Sequence, residues 1–401
     1  MTSMTNQPTR TAVRIESIDL IRALTMVLMI FVNDLWSLKD IPEWLEHVAP
    51  GVDGMGLADT VFPAFLFIVG LSMPFALANR RAKGDDDRTL VRHVATRSLA
   101  LLIMGVFLVN GETINEQATG IQGHVWGFIC CFSFILIWNV YPKGVHRNWA
   151  LATKLIGAAL LLCMAIRYRG GGDGHLQRFA PQWWGILGLI GWSYLTSGLI
   201  TIFAKNKVYI ILMAWTIFCI LSMVYKAGLV PESFSFIPEA IRGGTLVGLA
   251  LGGVLSALIY DHYRALQDGK NLIRMLLLFA AILIILSFIT RPLWGLSKLG
   301  ATPAWLFLCS AITLLGFLAI DQLVVKRGAA RWLEFVKPAG TDTLLCYFIP
   351  YFAYASTILL GLHVPDLLLT GIAGLFKSFL FALLCVQLTK VLNRAGIRLK
   401  L

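Results

Sequence analysis

Residues 272–290 read LIRMLLLFAAILIILSFIT. Arg274 is the one charge, and it stands near the start of the run. As an α-helix the run extends about 28 Å at 1.5 Å per residue, close to the ~30 Å of a bilayer's hydrocarbon core. Lipid offers backbone N–H and C=O groups no partner, so such a run must satisfy them internally, as helix. Membrane-crossing strands would instead show short alternating segments.

The same kind of run recurs in both directions. Apolar stretches at 18–38, 59–78, 93–110, 123–141, 149–167, 183–203, 208–226, 240–260, 272–290, 304–324, 342–361 and 367–392 predict twelve transmembrane helices. The 401 residues are 57% hydrophobic and only 14% charged, with a mean hydropathy of +0.74. A soluble domain carries roughly 25% charged residues, so this chain cannot cover a water-facing surface. The fold class is therefore an all-α polytopic membrane protein. Residues 17–392 form one transmembrane domain, flanked by polar tails at 1–16 and 393–401. The first run is too long for a signal peptide and lacks a cleavage site, so it stays as the first span.

The net charge of +12 sits mostly in short segments between runs, as the positive-inside rule describes, and it does not point to nucleic acid. The segments holding Arg80, Arg81, Lys83, Arg88 and Arg92, then Lys143 and Arg147, Lys205 and Lys207, Arg264 to Arg274, and Lys326 to Arg331 are assigned to the cytoplasm. The tails, with Arg10 and Arg14 in the first, join them. Segments 39–58, 111–122, 168–182, 227–239 and 291–303 then face outward. Arg167, Arg169 and Arg178, between the fifth and sixth runs, are exceptions to the pattern. Asp85, Asp86 and Asp87 read as a solvated turn. The seven cysteines lie in apolar runs without a CxxC pair and read as buried packing residues.

The polar residues of the first eighty positions are costly within spans, so each needs a partner or a task. The first span contains Ser17, Asp19, Arg22, Asn33 and Asp34. Asp19 and Arg22 share a helical face and can pair, or Arg22 can face an anionic ligand. A Gly-rich outer segment holds His47, and Asp59-Thr60-Val61-Phe62-Pro63 opens the second span, where Asp59 suits a helix N-cap. Pro63 is read as lying near the first turn, where proline costs least. Zinc, hydrolase-elbow and phosphate-loop motifs are missing from the sequence, so no metal is expected.

The run from Ser17-Ile18-Asp19 through Arg22, Asn33, His47 and Asp59–Pro63 to Gly70 resembles the heparan-α-glucosaminide N-acetyltransferase family of transmembrane acyltransferases and its bacterial DUF5009-type relatives. Weaker echoes follow at Val109-Asn110, Gly185–Gly191, Pro238–Ile241, Ser297-Lys298 and Ala339–Leu344. Departures are Ala23 for glycine, Thr60 for leucine, Asp342 for asparagine, and a longer interval between His47 and Asp59.

The resemblance implies a ten-helix acyltransferase core plus an inserted hairpin, spans four and five, with both termini cytoplasmic in a bacterial inner membrane. It implies acetyl-CoA as co-substrate, used from the cytoplasm, and a glycan or amino-sugar acceptor on the far side. His47 matches the catalytic base and Asn33 an oxyanion donor, with Asp59 or Asp34 orienting the imidazole. Arg22, Arg97, Arg80 and Arg81 are candidates for the coenzyme A phosphates. Asp34, Asn110, Glu112, Lys298 and the Trp183-Trp184 pair are candidates for the acceptor. Membrane lipid is the surrounding partner, and a homodimer stays open. The rival readings are a multi-span transporter of a small solute and a non-catalytic scaffold.

Overall fold

The computed structural model describes residues 15–142, 144, 146–172, 175–328 and 333–401. Residues 1–14 with Arg10 and Arg14, and also Lys143 and Arg331, lie outside the described residues. A helix of at least sixteen residues falls at each of the twelve apolar runs. They are α1 (Glu16–Asp34), α2 (Leu57–Arg81), α3 (Asp87–Glu112), α4 (Gly123–Trp138), α5 (Arg147–Arg167), α6 (Ile186–Ala204), α7 (Val208–Lys226), α8 (Thr245–Ala265), α9 (Gly269–Trp294), α10 (Pro303–Arg327), α11 (Thr343–Leu359) and α12 (Gly371–Arg394). Among the described residues, nine are long and apolar enough to cross a membrane. Of the other three, α4 and α11 are apolar but shorter, and α1 carries Glu16, Asp19, Arg22 and Asp34.

The helix boundaries follow local chemistry. The Asp86 carboxylate accepts the Thr89 N–H at 2.9 Å and starts α3. Asp85 and Asp87 pair with Arg80 and Arg81 at 2.8 and 2.9 Å. The triple aspartate is thus a clasp between α2 and α3 rather than a freely solvated turn. Pro303 occupies the first turn of α10, where its missing N–H is no loss.

The bundle has two ends. At one, Arg22 donates to the Gly340 carbonyl, Arg81 to the Ile202 carbonyl, and the segment after α12 bridges Asn139 at the end of α4. At the other, Lys39 meets Leu369 and Gly54 meets Leu296 through backbone hydrogen bonds. Isolated bridges tie the two segments that follow α3 and α5.

The core is built on close backbone approach. A Cβ on Gly70 would come within 1.8 Å of the Ala250 carbonyl oxygen, and one on Gly253 within 1.9 Å of the Phe67 oxygen. Helices α2 and α8 therefore cross with bare backbones in contact, as small residues allow in membranes. By contrast, only 17%, 22% and 33% of the apolar windows of α5, α7 and α9 are buried. Leu155, Leu162, Ile217, Ile285 and Phe288 face outward there, as lipid-facing residues do. Cys163 is exposed on α5 while the other six cysteines are buried, which corrects the reading of all seven as buried. Helix α4 packs into the bundle, with Trp126 and Phe134 fully buried.

Helix α1 sits at the centre, packed against α2, α10, α11, α12 and the short helix Lys337–Thr341. Its last residue, Asp34, is buried and accepts from Tyr354 at 2.8 Å, Lys377 at 2.7 Å and Ser378 at 2.6 Å. Lys377, near the start of its helix, would ordinarily reach outward to the interface. Instead it turns inward, because a carboxylate already buried beside it offers a better partner. At the other end of α1, Ser17 and Tyr260 both donate to buried Asp321, at 2.7 and 2.9 Å.

Removing one partner of a buried pair strands the other charge. Lys377→Met should therefore lower stability by about 3 kcal/mol, and adding Asp34→Asn should restore most of the loss. Unfolding in mixed micelles measures both. Equal losses in the single and double variants would mean that the pair contributes no coupling.

Candidate functional site

His47 lies just after a single 3-10 turn, Glu43–Leu45, in the segment linking α1 to α2. Its Nδ1 stands 2.7 Å from Asp59 Oδ1. The second Asp59 oxygen accepts the Val48 and Gly56 N–H groups, both at 3.1 Å. Asp59 is only 3% exposed, whereas the His47 side chain is 46% exposed. With Nδ1–H donating to a buried carboxylate, Nε2 carries the free lone pair.

The local sequence explains this geometry. Asp59 is the third residue of α2 and reaches back to Gly56, so Gly56 is the N-cap rather than Asp59. Pro63, well inside α2, has no N–H to give the Asp59 carbonyl four residues earlier. Proline was expected where it costs least, and here it costs one helix hydrogen bond. The indole of Trp305 on α10 supplies the replacement, donating to the Asp59 oxygen at 3.0 Å. A Cβ on Gly56 would meet the Glu46 carbonyl oxygen at 1.9 Å. Only glycine lets the residue before His47 lie against the start of α2.

Lys298, half-buried in the segment between α9 and α10, completes the cluster. Its Nζ is 3.3 Å from Nδ1 and 3.4 Å from Nε2 of His47. Being nearly equidistant, the ammonium addresses the ring as a whole. Burial pushes the Lys298 pKa below the ordinary lysine value, with the Asp59 charge opposing. Asp53 holds the same loops together. It accepts from Arg291 Nε at 3.1 Å and from the Leu296 N–H at 2.7 Å. These contacts, the Leu296 N–H foremost, hold its carboxyl below the usual carboxylate range.

Two cavities lie along the bundle. The first, of about 360 Å³, opens at the end where α1 begins and is walled by α1, α2, α3, α6 and the start of α11. Arg22 and Arg97 both line it. Arg22 bonds Asp19 and the Gly340 carbonyl, each at 3.1 Å, and Arg97 stacks 4.9 Å over the Tyr194 ring. The second, of about 370 Å³, lies towards the His47 end among Trp36, Glu112, His124, Trp126, Tyr351 and Tyr354. The same helix stripes serve both. Arg22, Met26 and Met29 face the first and Trp36 the second, and Leu344 and Tyr347 face the first while Tyr351 and Tyr354 face the second. Asn33 falls on the α1 stripe between Met29 and Trp36 and is exposed.

The structure thus brings together His47, Asp59 and Lys298, and separately Arg22 and Arg97. It does not bring in Arg80 and Arg81, which clasp α2 to α3. Asp34 is committed to Lys377, Ser378 and Tyr354 rather than to His47. Asn110 is fully buried, donating to the Val106 and Ala180 carbonyls at 2.7 and 2.9 Å, while its Oδ1 has no hydrogen-bond partner among the described residues. Trp183 packs on Trp192 and lines neither cavity. Trp36, Trp126, Tyr351 and Tyr354 are the aromatic residues that do line the second, and span-wise hydropathy gave no sign of them. No cluster of three or more metal-ligating side chains occurs among the described residues.

The apolar helices and their lipid-facing sides define an integral multi-pass membrane protein. Residues 14–234 match the family described as Domain of unknown function (DUF5009), more than half of the chain, and the chain belongs to that family. It is also similar to heparan-alpha-glucosaminide N-acetyltransferase of Homo sapiens, 32% identical over 101 residues, which is 24% of this chain and 14% of that protein. The Mus musculus protein of the same name is 33% identical over 101 residues, with the same shares. The match therefore spans about one seventh of each relative's length.

Gly56→Ala should push Glu46 away from α2 and separate His47 from Asp59 without unfolding the bundle. Cysteine cross-linking of position 47 to position 298 should drop sharply while the melting temperature changes little. The Asp53 latch has a defined pH sense. A depressed carboxylate contributes its stability fully above the unfolded pKa and loses it as pH falls through the folded value. Hydrogen exchange of residues 48–56 should stay slow at neutral pH and quicken only in acid, and Asp53→Asn should be fast throughout.

Proposed function

We propose that this protein is an acyl-CoA-dependent acyltransferase. It moves an acetyl group from acetyl-CoA, entering the arginine-lined cavity from the cytoplasm, to an amino or hydroxyl group of a sugar or glycan at the opposite end. The observation that carries this reading is the exposed His47 held through Nδ1 by buried Asp59, with Lys298 against the ring. The partial likeness to a membrane N-acetyltransferase supports the same chemistry. All twelve helices then cross, with both chain ends cytoplasmic, which suits the positive-inside distribution. A bacterial inner membrane is the location proposed.

His47 Nε2 takes the proton from the acceptor amine or hydroxyl as the new bond to the acyl carbon forms. Asp59 keeps the imidazole in the tautomer this requires and stabilises the imidazolium. The proton is available to the departing thiolate, so transfer yields the acylated acceptor and coenzyme A. The Lys298 ammonium and the Asn33 amide stabilise the developing oxyanion. Arg22 and Arg97 meet the phosphates of the donor, and Glu112 belongs to the acceptor side. The alignment of two cavities along shared helix stripes also fits a transport path, so solute uptake is the second reading.

Detergent-purified protein incubated with labelled acetyl-CoA and a panel of amino sugars tests the proposal. His47→Ala should lower kcat by about 10²–10⁴-fold, with Asp59→Asn close behind and the melting temperature preserved. Turnover of no acceptor, together with uptake of a solute by proteoliposomes, would replace the enzyme with a transporter.

A further inference from the structure

The segment after α12 does not hang free. The Val140 N–H donates to the Arg398 carbonyl at 2.9 Å, and the Arg398 N–H donates to Asn139 Oδ1 at 2.8 Å. The Lys400 N–H reaches the Trp138 carbonyl at 3.4 Å. Leu399 is buried. Residues 396–401 are thereby bolted across the end of α4, and Leu399, Lys400 and Leu401 form part of the wall of the first cavity.

The charges in that cavity decide what it can hold. Arg22 is already matched by Asp19. Arg97 keeps its Nε buried without a hydrogen-bond partner among the described residues. Asp342, in the same wall, brings a negative charge. Lys400 adds a cation to the wall that Arg97 also lines, on the side where a phosphate-bearing ligand would enter.

We infer that residues 396–401 form a strap across the donor cavity and that Lys400 binds a phosphate group of the ligand. This rests on the acyl-CoA reading for the ligand's identity, but the phosphate chemistry is independent of it. The strap is held by backbone and Asn139 contacts, so the Lys400 side chain can be changed without releasing it. Asn139→Ala does the reverse, loosening the strap while leaving its charge.

Titration calorimetry on the full chain in detergent, with coenzyme A, ADP and pantetheine as probes, tests the inference. Lys400→Ala should weaken coenzyme A and ADP binding roughly ten- to a hundredfold, the usual range for one charge-assisted hydrogen bond. It should leave pantetheine, which has no phosphate, unchanged, and Lys400→Arg should retain most of the affinity. Asn139→Ala should speed coenzyme A dissociation. Unchanged coenzyme A affinity in Lys400→Ala overturns the strap site while leaving the acyltransferase standing. If the wild type binds ADP and not coenzyme A, with Lys400 still required, the acyl-CoA reading fails and the phosphate site remains. Binding of neither phosphate ligand overturns the site itself.

Discussion

The constraint on which the structure depends is the cost of placing polar side chains where no water can solvate them. Helix α1 buries three of these, Ser17, Thr25 and Asp34, and it packs against four long helices and the short helix Lys337–Thr341. Ser17 reaches Asp321, Arg22 reaches Asp19 and Gly340, and Asp34 is wrapped by Tyr354, Lys377 and Ser378. These contacts draw α10, α11, α12 and the short helix Lys337–Thr341 onto α1. Helix α1, which carries Glu16, Asp19, Arg22 and Asp34, is thus tied to its neighbours, while α5, α7 and α9 are left at the rim.

That arrangement also separates two kinds of chemistry along one axis. The arginine side of α1 borders the first cavity, and the opposite end leads into the segment bearing His47. On the proposed reading His47 is a general base, which works best where its substrate can reach it, and its ring is partly open. Its orienting carboxylate works best where water cannot compete, and Asp59 is sealed under Val48 and Gly56. The difference in exposure between the two partners follows from their placement, one in a loop and one in the first turn of a buried helix.

Much of this was legible in the residues. The twelve apolar runs lie within a few residues of the twelve helices, because span length and hydropathy are local properties. The pairing of His47 with Asp59 was also within reach, being only twelve positions apart. What escaped was set by distance along the chain. Lys377 meets Asp34 across 343 positions and Lys298 meets His47 across 251, and no periodicity encodes such partners. Arg80 and Arg81 suit ligands by residue type, but in this arrangement they pair with Asp85 and Asp87 beside them, and the Asn110 amide donates to the Val106 and Ala180 carbonyls. Lys400 looked like tail charge because the bridge that turns 396–401 back over α4 has no helical or apolar signature.

Pro63 has a mechanical consequence. In an unbroken helix the hydrogen-bond ladder makes the first turns as stiff as the middle. Here the rung between positions 59 and 63 is missing, and its carbonyl is anchored sideways to Trp305 on α10. The opening turn of α2 is therefore coupled to α10 as well as to the remainder of its own helix. A displacement of the lower part of α2, where Phe65 and Val69 border the first cavity, need not carry His47 and Asp59 along with it. The seat of the imidazole is sprung independently of the wall that a ligand would press against.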